Sequence, residues 1–298
     1  MADQLIRATA ADGGIRCVGT ITTRLVQEAR DRHDLSYVAT AALGRTMSSG
    51  LLLASSMKRP DSRVNLRVSG NGPLGGILVD AGLDGTVRGY VDNPQVELPP
   101  KSNGKLDVGG AVGREGFLYV VRDIGYGYPY SSTVELVSGE IGDDVANYLV
   151  TSEQTPSALV VGVFVGAEGV SASGGILLQV LPKAARDEEL VETLESRVAS
   201  LSGFTPLLQK HQTLPDIFKH LLGDLGLEIL PGVQMVRFHC GCTPDRFLGA
   251  LKLLGEEELQ DMIEKDDGAE ATCHFCGEVY QATSNDLAEL IGSLRADS

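Results

Sequence analysis

Two close pairs of cysteines near the end of this chain constrain its folding more than any other sequence feature. Four of its five cysteines lie in the segments "CGC", Cys240 to Cys242, and "CHFC", Cys273 to Cys276. Zinc takes four ligands in a tetrahedron, and cysteines separated by one or two residues allow a single turn to supply two thiolates. The spacing therefore predicts a four-thiolate metal site in which Cys240, Cys242, Cys273 and Cys276 are the ligands.

The N-terminal segment and the distribution of apolar residues indicate the compartment. Charged residues from Asp3 to Glu28 leave no room for the apolar region of a secretion signal, and no run of eighteen apolar residues occurs. We therefore expect a cytoplasmic protein with no membrane partner. In a reducing compartment, paired cysteines are metal-binding or redox-active more often than they are structural disulfides.

The charge balance argues against a nucleic-acid partner. The chain has a formal net charge of -15. Residues 231–298 contain 5 lysines and arginines against 13 aspartates and glutamates. A surface of this sign repels phosphate groups, which argues against a nucleic-acid-binding zinc ribbon.

The first two thirds of the chain have a mixed α and β pattern. Asp84-Gly85 is a typical tight-turn pair between β-rich segments, which predicts an antiparallel meander. Ser36–Met57 is predicted to form a helix that packs closely on a sheet, and Ser138 is predicted to cap a second helix. The predicted strands are 64–68, 77–81, 86–91, 117–122, 133–137, 159–165 and 175–181.

The pattern changes at Pro182. From Lys183 to Leu230 the β signal disappears, and two apolar stripes at helical spacing predict amphipathic helices. Such helices must cover another surface, because they cannot bury their own apolar faces. We therefore predict an α+β protein with a large N-terminal α/β domain (1–182), a helical linker (183–230) and a small C-terminal zinc domain (231–298).

The segment between the cysteine pairs is predicted to be helical and acidic. Thr243 is a capping residue, Pro244 suits the first helical position, and Leu251 and Leu254 are expected to face inward. The acidic run from Glu256 to Glu270 is interpreted as a solvated helix face.

Three other residues bear on the cysteine site. His239 and His274 adjoin the cysteines and could replace one of them as ligands. Gly277 suits a turn that directs backbone amides toward the thiolates. The fifth cysteine, Cys17, is interpreted as a small buried apolar residue.

The chain resembles the heat shock protein 33 family of redox-regulated holdase chaperones. Besides the "CGC" and "CHFC" pairs, the resemblance rests on "SGNGPLGG", "GTVRGYVDNP" and "YPYSSTVELVSGEIGDDVANYLVTSEQTPSALVVGV", so it spans almost the whole chain. It implies that the reduced, zinc-bound form is inactive. It also implies that oxidation under unfolding stress releases the zinc, unfolds the C-terminal parts and exposes a surface that holds denaturing clients without ATP.

The resemblance also assigns roles to particular residues. It implies one zinc ion per chain, held by the four paired cysteines, and disulfides that join Cys240 to Cys242 and Cys273 to Cys276 on oxidation. The implied partners are unfolded or aggregation-prone proteins and, in the active form, a second copy of the chain. Cys17 lies outside the family's motif.

Two other classes of function remain open from the sequence. A thiol oxidoreductase could use "CHFC" as its active-site pair, although that role requires a thioredoxin-like βαβ context that the sequence lacks. A constitutive adaptor could use zinc only as a structural support, because the two uses require the same ligands. No G-x-S-x-G elbow occurs, and Asp143-Asp144 is interpreted as an exposed helix turn, so we expect no enzyme activity.

Overall fold

The computed structural model describes residues 2–201 and 203–296. It forms two compact units, Met1–His239 and Cys240–Ser298. The residues predicted as a linker are part of the first unit in this division. The division into an N-terminal domain (1–182), a helical linker (183–230) and a zinc domain (231–298) stays a prediction.

The first unit contains most of the regular structure. Its strands are β1 (Gln4–Ala10), β2 (Ile15–Ile21), β3 (Arg63–Gly70), β4 (Gly76–Gly82), β5 (Thr86–Val91), β6 (Gly116–Asp123), β7 (Tyr130–Glu135), β8 (Ser157–Gly166), β9 (Gly169–Val180), β10 (Glu228–Ile229), β11 (Gln234–Met235) and β12 (Arg237–Phe238). Its α-helices are α1 (Thr23–His33), α2 (Tyr37–Ala54), α3 (Val108–Val112), α4 (Gly142–Thr151), α5 (Glu188–Ala199), α6 (Phe204–His211) and α7 (Leu214–Leu222).

These strands form two sheets. One has the order β10-β1-β2-β9-β8, with β11 also paired to β1, and all of its pairs are antiparallel. The other has the order β12-β5-β4-β3-β6-β7 and is antiparallel except where the short β12 joins β5. The meander predicted around Asp84-Gly85 is confirmed, with Gly85 at a φ of 84° in the turn. The α+β class with antiparallel sheets is therefore confirmed.

Helix α2 packs against both sheets, and nearly all of its residues are buried. The Ser36 side chain caps it by accepting a hydrogen bond from the Ala39 amide. Small residues allow the close approach: a Cβ at Gly44 would come within 2.7 Å of Val26, and one at Gly50 within 3.1 Å of Ala81. The predicted helix and its close packing are confirmed.

The start of α4 differs from the sequence expectation. Ser138 does not cap it; the helix begins at Gly142, and the N-cap position is Ile141. The Asp144 carboxylate is completely buried and accepts hydrogen bonds from four backbone amides, those of Val137, Ser138, Gly139 and Ile141. The interpretation of Asp143-Asp144 as an exposed turn is thus wrong for Asp144, because its carboxyl oxygens are the buried acceptors of these amides.

Two predicted strands also have different bounds. The loop expected between the last two strands is a tight turn, because β9 already begins at Gly169 and pairs with β8 back to Gly166. Strand β7 lies at Tyr130–Glu135, toward the N-terminus of its predicted position. The alternation of apolar and polar residues is weak in both segments, because glycine and serine are neither strongly apolar nor strongly polar.

The segment after Pro182 folds into three helices rather than two. Helices α5, α6 and α7 lie on the face of the β1-β2-β9-β8 sheet and share one hydrophobic core with it. The unpredicted helix is α6, which has Pro206 in its first turn, where a proline is tolerated. The segment is not free of β structure, because Glu228–Ile229 pairs with β1.

The second unit has a small core of its own. Its elements are α8 (Pro244–Lys252), α9 (Glu256–Asp266), β13 (Gly268–Thr272), β14 (Val279–Thr283) and α10 (Ser284–Ala296). Thr243 caps α8 as predicted. The acidic run predicted as a helix face from Glu256 to Glu270 is only partly helical, because α9, with its exposed acidic start, ends at Asp266 and Glu270 lies in β13. Leu254 does not face inward: it follows the end of α8 and is 52% exposed. The buried core residues are Leu251, Leu259, Ala282, Leu287 and Ile291.

Candidate metal centre

The first cysteine pair lies in the turn that leads into α8. The Thr243 hydroxyl accepts a hydrogen bond from the Arg246 amide, which sets the start of the helix directly after Cys242. The Arg246 guanidinium donates to the Gly241 carbonyl at 2.8 Å. This contact holds the peptide between Cys240 and Cys242 against the first turn of α8.

The second pair lies in the connection between β13 and β14, which pair in antiparallel register. The Cys273 amide donates to the Glu278 carbonyl at 2.9 Å, and the Gly277 amide donates to the Cys273 carbonyl at 2.8 Å. Gly277 has a φ of 73°, a conformation that glycine adopts without strain. The hairpin thus closes a compact turn that places Cys273 and Cys276 on the same side.

The four sulfur atoms converge. All four lie within 4.8 Å of one another. The Sγ atoms of Cys240 and Cys273 are 3.8 Å apart, and those of Cys242 and Cys276 are 3.2 Å apart. A zinc ion with Zn–S bonds of about 2.3 Å sits in a tetrahedron whose sulfurs are about 3.8 Å apart. The donor set and its spacing therefore fit a tetrahedral metal ion, and each cysteine pair supplies two of the four thiols.

Hydrogen bonds reach these sulfurs from two sources. The backbone amides of Phe275 and Cys276 bond to the Cys273 thiol, and the Glu278 amide bonds to the Cys276 thiol. These contacts confirm that the turn at Gly277 directs amides toward sulfur. The Tyr280 hydroxyl contacts Cys242 Sγ at 3.0 Å.

Burial and a bound metal ion shift the pKa values of the cysteine thiols in opposite directions. Burial raises the pKa values of the Cys273 and Cys276 thiols, because it disfavours the charged thiolate. A bound divalent cation has the opposite effect and keeps ligating thiols deprotonated. The hydrogen bond to Cys242 raises the pKa of the Tyr280 phenol, so that this group stays protonated and can donate.

The structure separates the four paired cysteines from the other candidates. Neither His239 nor His274 belongs to the group of four. Cys17 is completely buried in β2 of the first unit, and burial raises the pKa of its thiol, as expected for a small apolar side chain. Sequence reasoning missed Tyr280. The sequence signal that could have identified Tyr280 is its position shortly after the second cysteine pair.

Among the described residues, no helix is both long enough and apolar enough to cross a membrane. The fold and the thiol cluster together define an α+β protein with a candidate four-cysteine metal centre in a small second unit.

Comparisons with known proteins agree with this description. The sequence model of the family described as Hsp33 protein matches residues 3–283. The chain is 78% identical to the 33 kDa chaperonin of Gloeothece citriformis over 298 residues, covering 100% of both proteins. It is 77% identical to the 33 kDa chaperonin of Nostoc punctiforme, covering 100% of this chain and 99% of that protein.

A solved structure gives the same result. The 33 kDa chaperonin (heat shock protein 33 homolog) of Thermotoga maritima superposes with a TM-score of 0.89 at 35% identity, covering 100% of both chains. The chain belongs to the Hsp33 family, a family of chaperones.

Proposed function

We propose that this protein is a redox-regulated, ATP-independent holdase chaperone of the cytoplasm. In the reduced state Cys240, Cys242, Cys273 and Cys276 hold one zinc ion, and the protein is inactive. The observation that carries the proposal is the convergence of four thiols from two close pairs within 4.8 Å. Soft thiolate ligands in this number and arrangement favour zinc among the common metal ions.

Oxidation is proposed to join Cys240 to Cys242 and Cys273 to Cys276. For each disulfide, two thiolates give two electrons to a peroxide, which takes up two protons and leaves as two water molecules. Because each pair spans one turn, each disulfide can close without bringing distant segments together. All four metal ligands are consumed, so the zinc is released.

The energies of zinc binding and disulfide formation indicate that replacing the zinc ion by two disulfides destabilises the second unit. A structural zinc contributes about 10–16 kcal/mol to the folding of a small domain. Disulfides that close loops of three or four residues contribute about 1.5–2 kcal/mol each by chain entropy. The core of the second unit has few fully buried side chains. We therefore expect the unit to unfold when the zinc leaves.

The client surface is proposed to be the apolar face beneath α5–α7. The buried side chains of these helices, such as Phe218, share a core with β-strand residues such as Ile176 and Leu178. Helix α5 is held less firmly than α7, because Leu194 is its one fully buried residue. Release of the helices exposes two complementary apolar surfaces, which can bind unfolded polypeptides and support a dimer of the active form.

The test follows zinc release and client protection together. The reduced, zinc-loaded protein is treated with peroxide at elevated temperature, and aggregation of a thermally unfolding client is recorded. We expect about one zinc per chain to leave as protection appears, and thiol reduction with added zinc to reverse both. Zinc release without protection would show that the metal is only structural, as in a constitutive adaptor.

A ligand variant tests the assignment of the site. Cys273→Ser should lose tight zinc binding, because serine does not supply a thiolate. Cys17→Ser is the matched control and should keep about one zinc per chain. Unchanged zinc content in Cys273→Ser would overturn the assignment.

A further inference from the structure

Tyr280 connects the two cysteine pairs through a side chain. It lies in β14, after the second pair, and its hydroxyl reaches Cys242 Sγ of the first pair at 3.0 Å. Its ring packs beside Phe247 of α8, with the ring centroids 6.0 Å apart. The ring therefore has a packing role, whereas the hydroxyl is directed at a sulfur atom.

Two kinds of donor reach the cysteine sulfurs. Cys273 and Cys276 accept hydrogen bonds from backbone amides of their own turn. Those donors are part of the main chain, and no side-chain substitution removes them. The Tyr280 hydroxyl that donates to Cys242 belongs to a side chain from another element, so a substitution can remove this hydrogen bond by itself.

We propose that Tyr280 is a positioning residue which, through its hydroxyl, stabilises Cys242 as a metal-bound thiolate and slows its oxidation. This proposal rests on the proposed redox function and concerns the regulation of the same site. A hydrogen bond to a thiolate draws charge from the sulfur, and this lowers the sulfur's nucleophilicity. Outer partners of this kind also orient a ligand and strengthen metal binding.

The reaction that Tyr280 slows has two steps. The Cys242 thiolate attacks one peroxide oxygen, the O–O bond breaks, and the products are a sulfenic acid and hydroxide. The Cys240 thiolate then attacks the Cys242 sulfur, the disulfide forms, and a second hydroxide leaves. Two electrons pass from the two sulfurs to one peroxide molecule. Tyr280 acts on the first step, because it contacts the attacking sulfur.

The test compares Tyr280→Phe, which removes only the hydroxyl, with Tyr280→Leu, which also removes the ring. Tyr128→Phe is the matched control, because Tyr128 is 99% exposed in the first unit. The reduced full-length proteins are loaded with zinc and treated with peroxide, and released zinc is followed with a chromogenic chelator. Competition with a chelator gives zinc affinity, and cobalt-loaded samples give the sulfur-to-metal absorption band.

For Tyr280→Phe we expect zinc release about threefold faster and zinc affinity about tenfold weaker than in the wild type. Its cobalt band should shift, since the hydrogen bond acts directly on a ligand sulfur. Tyr128→Phe should match the wild type in all three measurements. If Tyr280→Phe keeps the wild-type zinc release rate and cobalt band, and only Tyr280→Leu changes them, the side chain has a packing role alone. That result would overturn the proposal.

The same experiments distinguish a failure of the proposed redox function from a failure of the proposal for Tyr280. Wild-type protein that releases zinc without protecting a client contradicts the holdase function, but the release rates still decide the role of Tyr280. Wild-type protein that retains zinc in peroxide contradicts the redox switch. Zinc affinity and the cobalt band then decide whether the hydroxyl acts on Cys242.

Discussion

At the end of α6, the His211 ring stacks on the ring of His220 in α7. Their rings stack with centroids 4.5 Å apart, and the buried Nε2 of His211 has no hydrogen-bond partner among the described residues. Burial, His220 and Lys210 lower the pKa of His211 from its usual 6.5, with Asp216 opposing them. A charged His211 is therefore disfavoured in the docked hairpin.

The sign of this effect gives a prediction. Because the folded-state pKa of His211 is lowered, the unfolded chain takes up the proton first as pH falls. The stabilisation is complete above about pH 6.5 and is lost at lower pH. We expect a smaller free energy of unfolding at pH 5.5 than at pH 7.5, and a weaker dependence in His211→Gln. Urea unfolding at both pH values measures this, with His33→Gln as the control; equal dependence in all three proteins would contradict it.

At the scale of elements, the docking of α7 on β2 depends on the absence of a side chain. A Cβ at Gly19 would come within 2.8 Å of Phe218 and 2.9 Å of Leu214. Both residues are completely buried, so neither can move aside without disturbing the core. Cys17, two residues away on the same strand, belongs to the same core and is also covered.

Gly19→Ala should therefore weaken the docking of α7 by about 1–3 kcal/mol, the usual cost of overpacking a core. In the reduced, zinc-bound protein we expect faster alkylation of Cys17 and partial client protection without peroxide. Mass mapping of the Cys17 peptide and an aggregation assay measure these two effects. Gly166→Ala is the control, because a Cβ at Gly166 would meet no atom within 4 Å. If Cys17 is alkylated in Gly19→Ala at the same rate as in the wild type, the helix accommodates the methyl group.

At the scale of the whole molecule, the two units differ in what holds them together. The first unit has two sheets with an apolar helix packed against both. The second unit combines a small core with the four-thiol cluster. Its stability should therefore depend on the metal far more than that of the first unit does.

Removal of zinc by a chelator under reducing conditions should unfold the second unit and leave the two sheets of the first unit folded. We expect protease cleavage within residues 240–296 and a lost thermal transition, while residues 2–181 stay protected. Limited proteolysis with mass mapping measures this, and re-addition of zinc should restore resistance. A second unit that stays resistant without zinc would mean that its core is sufficient and that the metal does not hold the fold.

Much of the fold follows from local chemistry, and these parts were predicted from the sequence. The meander, α2 with its Ser36 cap and α8 with its Thr243 cap depend on turns, caps and periodicity within a few residues. Strands β1 and β2 were missed because Arg7 and Arg16 interrupt their apolar pattern. Tertiary contacts supply hydrogen-bond acceptors to both guanidinium groups: Arg7 donates to Gln234, and Arg16 donates to Gln179 and Ser55.

The four cysteines of the candidate metal site could be identified before the fold was known, because ligand type and spacing are local properties. Three other contacts became evident only in the folded chain: Tyr280 meets Cys242, Asp144 is a buried cap, and Phe218 lies over Gly19. Each of these contacts depends on where a side chain lies after elements have packed. Residue spacing does not encode that position, because it follows from the packing of the whole chain.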